Sequence, residues 1–282
     1  MRSDRPSRVA LADALRQIDT WPVTAAAGVT AADETLATAG DPQAPRKWAS
    51  VTKLLTALAV LVATEEGTVD LDDPAGPPGA TVRHLLAHAS GLAPDSDDVM
   101  GPPGTRRRYS NRGIEVAAAH TETKSGVPFA TYLREAVIEP LGLSHTTLDG
   151  SPASGASGPL TDLLSLGREL LAPTLVSPAT LKTATRTAFP DLAGVLPGYG
   201  RQSPNDWGLG FELRHHKDPH WTGRRNSPAT FGHFGLSGAF LWVDPELGLA
   251  CAELADTDFG PWAIDAWPAL SDAVIETQTL RR

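Results

Sequence analysis

One cysteine, two methionines, three tyrosines and five lysines are spread over 282 residues, and these scarcities narrow what the chain can be. Cys251 alone cannot close an internal disulfide, and within the apolar stretch GLACAEL it reads as a small buried hydrophobe. Basic residues number 24 against 33 acidic ones, a formal charge of −9, which excludes the clustered positive charge that non-specific nucleic-acid binding requires. Long apolar runs are missing too. The longest, Leu54 to Ala63, contains Thr56 and meets Glu65-Glu66-Gly67, well short of the roughly 18 to 20 residues of a bilayer span. The N-terminal MRSDRPSRVALADALRQIDTW begins basic, but Asp13, Arg16 and Asp19 interrupt it before an apolar signal core forms, so the reading is cytoplasmic, with no membrane partner.

What is present is enough for one large domain or two lobes sharing a core. Val9, Ala12, Leu15 and Ile18 recur at helical spacing, stopped by Trp21-Pro22. VTAAAGVTAADETLATAGD then suggests two short antiparallel strands with a turn near Ala32 to Glu34. Residues 50–66 are apolar nearly all round, as in a helix buried on every side, and Gly67 suits its end. Shorter helical pieces follow, punctuated by Pro and Gly: TVRHLLAHASGL, NRGIEVAAAHTETKSG, FATYLREAVIEPLGL, PLTDLLSLGRELLAP and SPATLKTATRTAF. From Trp207 onward, strand patterns return in GLGFELRHH, TFGHFG and SGAFLWVDPELGLACAELA, and PWAIDAWPALSDAVIETQTL reads as a closing helix. The expected fold is therefore α/β (α+β). An antiparallel sheet is formed by both chain ends with flanking helices, residues 1–47 and 205–282, with an inserted, mainly helical lobe at 48–204 and a catalytic site between the lobes.

The chemistry starts at WASVTKLLTAL. Ser50 and Lys53 stand at i and i+3, one helical turn apart, so an amine can approach a hydroxyl. Serine needs a base to become a nucleophile, and a lysine can serve once burial lowers its pKa. With 17 serines and five lysines, one such tetrad is weak evidence alone. Two further stretches strengthen it. PPGTRRRYSNRG offers Tyr109-Ser110-Asn111, and TFGHFGLSGAF offers His233-Phe234-Gly235.

Ser50-x-x-Lys53, Tyr109-x-Asn111 and His233-x-Gly235, in this order, resemble the motifs of the serine β-lactamase and penicillin-binding-protein superfamily. The nearest branch is class C-like, which includes D-alanyl-D-alanine carboxypeptidases and family VIII esterases. HLLAHASGL, EPLGLSHTTL and WGLGFEL extend the likeness from about Gly28 to the last strands. The resemblance implies a β-lactamase-like fold and a serine hydrolase that forms an acyl-enzyme on a small ester or amide, without cofactor or metal. Ser50 would be the nucleophile. Lys53 would take its proton, alone or shared with a phenolate-like Tyr109. Asn111 would hold Lys53 and contact substrate, and His233 would keep the network poised. The backbone N–H groups of Ser50 and Leu236, the latter following Gly235, would form the oxyanion hole. His-Phe-Gly departs from the relatives by lacking the lysine and hydroxyl that grip a substrate carboxylate. Ester cleavage is accordingly the first expectation, followed by carboxypeptidase or β-lactamase activity or acyl transfer. A catalytically idle homologue that binds a ligand or partner is the rival from another class. Oligomeric state is left open.

Other candidates have plainer readings. His84 and His88 have helical i, i+4 spacing, but Leu85 stands where zincins carry Glu and no third ligand is evident; His88 is read as holding a loop. His215, His216 and His220 are expected on a polar surface turn, and Arg106-Arg107-Arg108 in a solvated loop rather than as an anion-receiving rim. Gly235-Leu-Ser237-Gly238 is not a Gly-x-Ser-x-Gly elbow. Of the late tryptophans Trp207, Trp221, Trp242, Trp262 and Trp267, the first two are candidate acyl-pocket walls.

Overall fold

The computed structural model describes residues 7–279. Residues 1–6 and 280–282, assigned above to the sheet lobe, lie outside them, as do the basic start of the chain and the end of its last helical pattern. The first apolar stripe forms helix α1 (Arg8–Leu15), which buries Leu11 and Leu15. Strands β1 (Ala25–Thr30) and β2 (Thr35–Ala39) follow, then a short β3 (Arg46–Lys47). A 3₁₀ turn at Ala49–Val51 leads into α2 (Thr52–Glu65), in which every residue from Thr52 to Ala63 is buried.

After α2 come α3 (Val82–Leu86), α4 (Asn111–Ser125), α5 (Phe129–Leu133), β4 (Thr147–Leu148), β5 (Ala156–Gly158), α6 (Leu160–Leu171) and α7 (Pro178–Ala184). The chain then runs through β6 (Gly194–Leu196), β7 (Gly200–Gln202), β8 (Glu212–Leu213), β9 (Phe231–Gly235), β10 (Ala239–Asp244) and β11 (Leu249–Ala255), and closes with α8 (Pro261–Thr279).

Both ends of the chain build one antiparallel sheet, in the order β2-β1-β11-β10-β9-β8, with Ala25 opposite Ala255 and Leu241 opposite His233. Side chains of a strand point alternately to opposite faces. Thus Phe240, Trp242 and Cys251 join Leu11, Leu15 and Trp267 in the core under α1 and α8, whereas Leu241, Val243, Ala250 and Ala252 join α2 and α6 in the core on the other face. Covering both faces explains why β9, β10 and β11 are buried throughout instead of alternating between apolar and polar residues.

Two features of the middle differ from the helical reading. It contains a small sheet, β3-β5-β4, and a β6-β7 hairpin; strands of two or three residues leave too short a pattern to read. Helix α6, inside the stretch assigned to a helical lobe, lies on β1, β10 and β11 of the main sheet. Gly167 admits this approach, since a Cβ there would stand 3.1 Å from Ala250 Cβ and 3.3 Å from Leu241 Cδ1. Leu241 is fully buried at this junction. Leu241→Ala is expected to lower unfolding stability by about 2–5 kcal/mol, the range for emptying a packed leucine site, measured by urea titration.

Candidate active site

The helix that carries Ser50 and Lys53 is anchored before it begins. Trp48 is fully buried; its indole N–H donates to Gly158 O (3.2 Å) and its backbone N–H to Ala156 O (2.9 Å). Ala49 then adopts φ +43°, a left-handed conformation that costs a side-chain-bearing residue roughly 1–3 kcal/mol and recurs where a fold must aim a functional group. Ser50 follows in the 3₁₀ turn, and Lys53 lies in the first turn of α2.

Tyr109, Ser110 and Asn111 straddle the start of α4. Ser110 caps the helix by accepting from Gly113 N–H (2.9 Å) and donates its own hydroxyl proton to Ala93 O (2.6 Å). The middle residue of Tyr-x-Asn is thereby turned inward, and its neighbours project toward Ser50. Tyr109 O–H donates to Ser50 Oγ at 2.8 Å, and Asn111 Oδ1 accepts from Lys53 Nζ at 2.6 Å. Lys53 Nζ also lies 3.1 Å from Ser50 Oγ and 2.9 Å from Ala153 O, and 4.8 Å from the centre of the Tyr109 ring.

Burial sets the charge of each group. Lys53 is fully buried, and desolvation lowers its pKa to about 7, against the opposing pull of Asp95 and Glu115. The same desolvation raises Tyr109 well above an ordinary phenol, despite the Ser50 hydrogen bond, which favours the protonated hydroxyl that donates to Ser50 over a phenolate. Burial, with Lys53 nearby, lowers His233 to about 3, so the ring is neutral. Its Nδ1–H donates to Phe234 O (2.7 Å), which leaves Nε2 a buried acceptor with no partner among the described residues. His233 thus lies beside Tyr109, ring centroids 6.0 Å apart, but is not hydrogen-bonded to Tyr109 or Lys53 among the bonds of the described residues.

Gly235 joins strand to helix. A Cβ at this position would lie 2.4 Å from Trp48 O and 3.1 Å from Ser50 N, so only glycine lets the end of β9 run against the turn that carries the serine. Leu236, next along, is well exposed and lines a cavity of about 280 Å³ with Ser50, Tyr109, Asn111, Glu212 and His233. Leu196, Pro197, Trp207, Phe234 and Phe259 form its apolar wall, and no lysine or arginine among the described residues contributes to the lining.

Around these residues lie groups that the sequence read differently or, like Glu212, did not single out. His88, with φ +53°, accepts Ser110 N–H at Nδ1 (3.2 Å) and packs between Tyr109 and Trp207, fulfilling its reading as a loop holder. His84 hydrogen-bonds Thr81 in a capping box, and no group of three metal-ligating residues exists among the described residues. Glu212 is buried beneath the cavity, where Lys217 Nζ, His220 Nε2 and Trp221 Nε1 all bond to its carboxylate. Burial alone would raise its pKa, but His220 and Lys217 hold it well below the usual carboxylate range. The surface reading of this turn therefore holds for His216 and fails for buried His220; half-buried His215 pairs with Asp206. Trp221 backs this cluster rather than the cavity, so of the two expected walls only Trp207 is one. Arg107 is also buried, donating to the carbonyls of Asn205, Ala87, Ala188 and Phe189, whereas Arg106 is exposed.

A sheet built by both chain ends, with a serine and a buried lysine at the head of its central helix, defines a class, and comparison with known proteins identifies it. Residues 15–274 match the Beta-lactamase family model, and the chain belongs to that family of serine hydrolases. A β-lactamase from Mycobacterium bovis of known structure is 55% identical, with a TM-score of 0.93 over 94% of this chain and 99% of that one. More distant structures share the fold. EstCE1, a hydrolase with promiscuous acyltransferase activity, has a TM-score of 0.78 at 18% identity (95% and 99% covered), and a D-stereospecific amidohydrolase from Streptomyces sp. has 0.71 at 21% (98% and 100%). No curated protein matches significantly. No helix among the described residues is long and apolar enough to cross a membrane.

Gly235→Ala is expected to cost about 1–3 kcal/mol, as overpacking does, and to displace the Ser50 turn. Urea unfolding checks the first effect, and reaction of Ser50 with an acylating probe the second.

Proposed function

We propose that the protein is an esterase-like serine hydrolase in which Lys53, uncharged, takes the proton of Ser50. The observation that carries this reading is the arrangement around Lys53 Nζ, where a buried amine faces two carbonyl oxygens and one hydroxyl. A neutral amine has two N–H bonds and one lone pair. Asn111 Oδ1 and Ala153 O can only accept, so they take the two protons, and the lone pair is left for Ser50 O–H.

Ser50 Oγ then attacks the ester carbonyl carbon as its proton passes to Lys53. The oxyanion forms between the N–H groups of Ser50 and Leu236, donors worth about 3–4 kcal/mol each in comparable sites. The bond to the alcohol breaks, and the alcohol leaves with a proton returned through Lys53 and Tyr109 O–H. Water attacks the acyl-Ser50 ester with the same base, releasing the acid and restoring the serine.

The lining of the cavity supports an uncharged acyl group of modest size. Apolar walls, neutral His233 and the absence of a lining lysine or arginine give a substrate carboxylate nothing to compensate its desolvation. Ester cleavage is therefore placed ahead of β-lactam or peptide-stem hydrolysis.

A fluorophosphonate followed by intact-mass analysis tests the nucleophile. An adduct is expected on the wild-type protein and not on Ser50→Ala, and a wild-type protein inert to several acylating probes would favour the idle, ligand-binding alternative. Lys53→Ala should lose about 100-fold to 10,000-fold in acylation rate while remaining folded. Because the base must be unprotonated, kcat/KM for p-nitrophenyl acetate should rise with pH through a midpoint near 7, the lowered pKa of Lys53. A profile still climbing steeply at pH well above this value would remove Lys53 from the role.

A further inference from the structure

The amide of Asn111 has two ends, and only one of them meets Lys53. The other, Nδ2, donates to Asp95 Oδ1 at 2.8 Å. Asp95 lies in the exposed loop PDSDD, sixteen residues before Asn111, and belongs to none of the three motifs. The loop is nevertheless held in place. Ser110 O–H donates to Ala93 O (2.6 Å), Arg112 N–H donates to Pro94 O (3.0 Å), and the Arg112 guanidinium pairs with Asp97 (2.6 Å). Ala93, Pro94 and Asp97 thus bracket Asp95 with bonds to the first turn of α4, the turn that also carries Asn111.

We propose that Asp95 is a positioning residue for the Lys53 base: its carboxylate captures Asn111 Nδ2 and so keeps Oδ1 turned toward the amine. The proposal rests on Lys53 being the base. A carboxylate can only accept, so it admits one orientation of the amide. Were the amide reversed, its NH₂ would face Lys53 Nζ donor to donor. The amine would then lose one of the two acceptors that direct its lone pair at Ser50. Asp95 therefore acts three hydrogen bonds removed from the reacting hydroxyl, through Asn111 and Lys53, and does not itself line the cavity.

Its charge has a second consequence. The groups that face Lys53 are Asp95 from the loop, Glu115 and Asn111 from α4, Tyr109 ahead of α4, His88 after α3, His233 from β9 and the Ala153 carbonyl. Burial outweighs the two carboxylates, which oppose it by favouring the ammonium. Glu115 is engaged by Ser151 O–H and Arg112, which leaves Asp95 as the carboxylate bonded to the side chain that Lys53 itself contacts. Removing the Asp95 charge lowers the Lys53 pKa and moves the acid limb of the rate profile to lower pH.

The test measures the rate of Ser50 phosphonylation by a fluorophosphonate as a function of pH in the wild type, Asp95→Ala, Asp95→Asn and Lys53→Ala. In Asp95→Ala the plateau rate is expected to fall about tenfold or more, toward the ~100-fold that a 1 Å misplacement of a reacting group costs. Asp95→Asn, whose side-chain oxygen can still accept from Asn111, should recover most of that loss. Both variants should show the midpoint displaced to lower pH, which a merely structural loop residue would not produce. A wild-type plateau in Asp95→Ala, or a wild-type midpoint in both variants, overturns the proposal. If Lys53→Ala reacts at the wild-type rate, the base assignment itself fails; if Lys53→Ala is slow and Asp95→Ala is unchanged, only the role of Asp95 does.

Discussion

Everything at the site depends on taking one amine out of water. An isolated ammonium cannot be buried without great cost, and the fold meets that cost by letting the amine lose its proton and by surrounding it with oxygen. Lys53 Nζ touches Asn111 Oδ1, Ala153 O and Ser50 Oγ, three atoms from three separate stretches of chain. To bring them together, α2 must be buried on every side, α4 must start at Ser110, and the segment before β5 must lie along α2. That last contact is reinforced by Thr56 O–H to Pro152 O (2.6 Å) and Ala156 N–H to Thr52 Oγ1 (2.9 Å).

The same dryness acts on every titratable group nearby, and in one direction. It lowers the lysine, lowers the histidine and raises the tyrosine, so at neutral pH an amine that is about half uncharged, a neutral imidazole and a neutral phenol surround the serine. In the proposed reaction, charge would then appear chiefly on the oxyanion, where fixed backbone dipoles need no reorganisation to meet it. The full charges nearby are closed on internal partners. Glu212 with Lys217 and His220 lies beneath the cavity, and Arg107 is satisfied by carbonyls alone. Lys217 stands 5.8 Å over the Trp207 ring, so this buffered layer also braces the wall against which Tyr109 and His233 pack.

Much of this was legible in the residues, for physical reasons. The sheet strands show as β-branched, aromatic and small apolar runs because both their faces are covered, and α2 shows as a continuous apolar helix because nothing around it is water. The gathering of Ser50, Lys53, Tyr109 and Asn111 was legible because they sit in pairs at short spacings on a turn or a helix start. What escaped was set by distant partners. Glu212, Lys217 and His220 read as a polar turn because their mutual neutralisation exists only once the chain has folded. Arg107 looks like Arg106 in the sequence, although one is buried and the other exposed. Asp95 lies in an acidic run that resembles any solvated loop. The tautomer of His233, which makes its Nε2 a buried acceptor instead of a donor toward Lys53, follows from one carbonyl at 2.7 Å.

The central claim is that Lys53 is substantially uncharged at neutral pH, and with only five lysines in the chain it can be tested without reference to any substrate. Lysine labelled with ¹³C at Cε gives few enough resonances to follow singly by NMR, and the one that disappears in Lys53→Met is assigned. Titration of that resonance with a midpoint near 7 is the expected result. A midpoint near 10.5, the ordinary value for a lysine, would contradict the account.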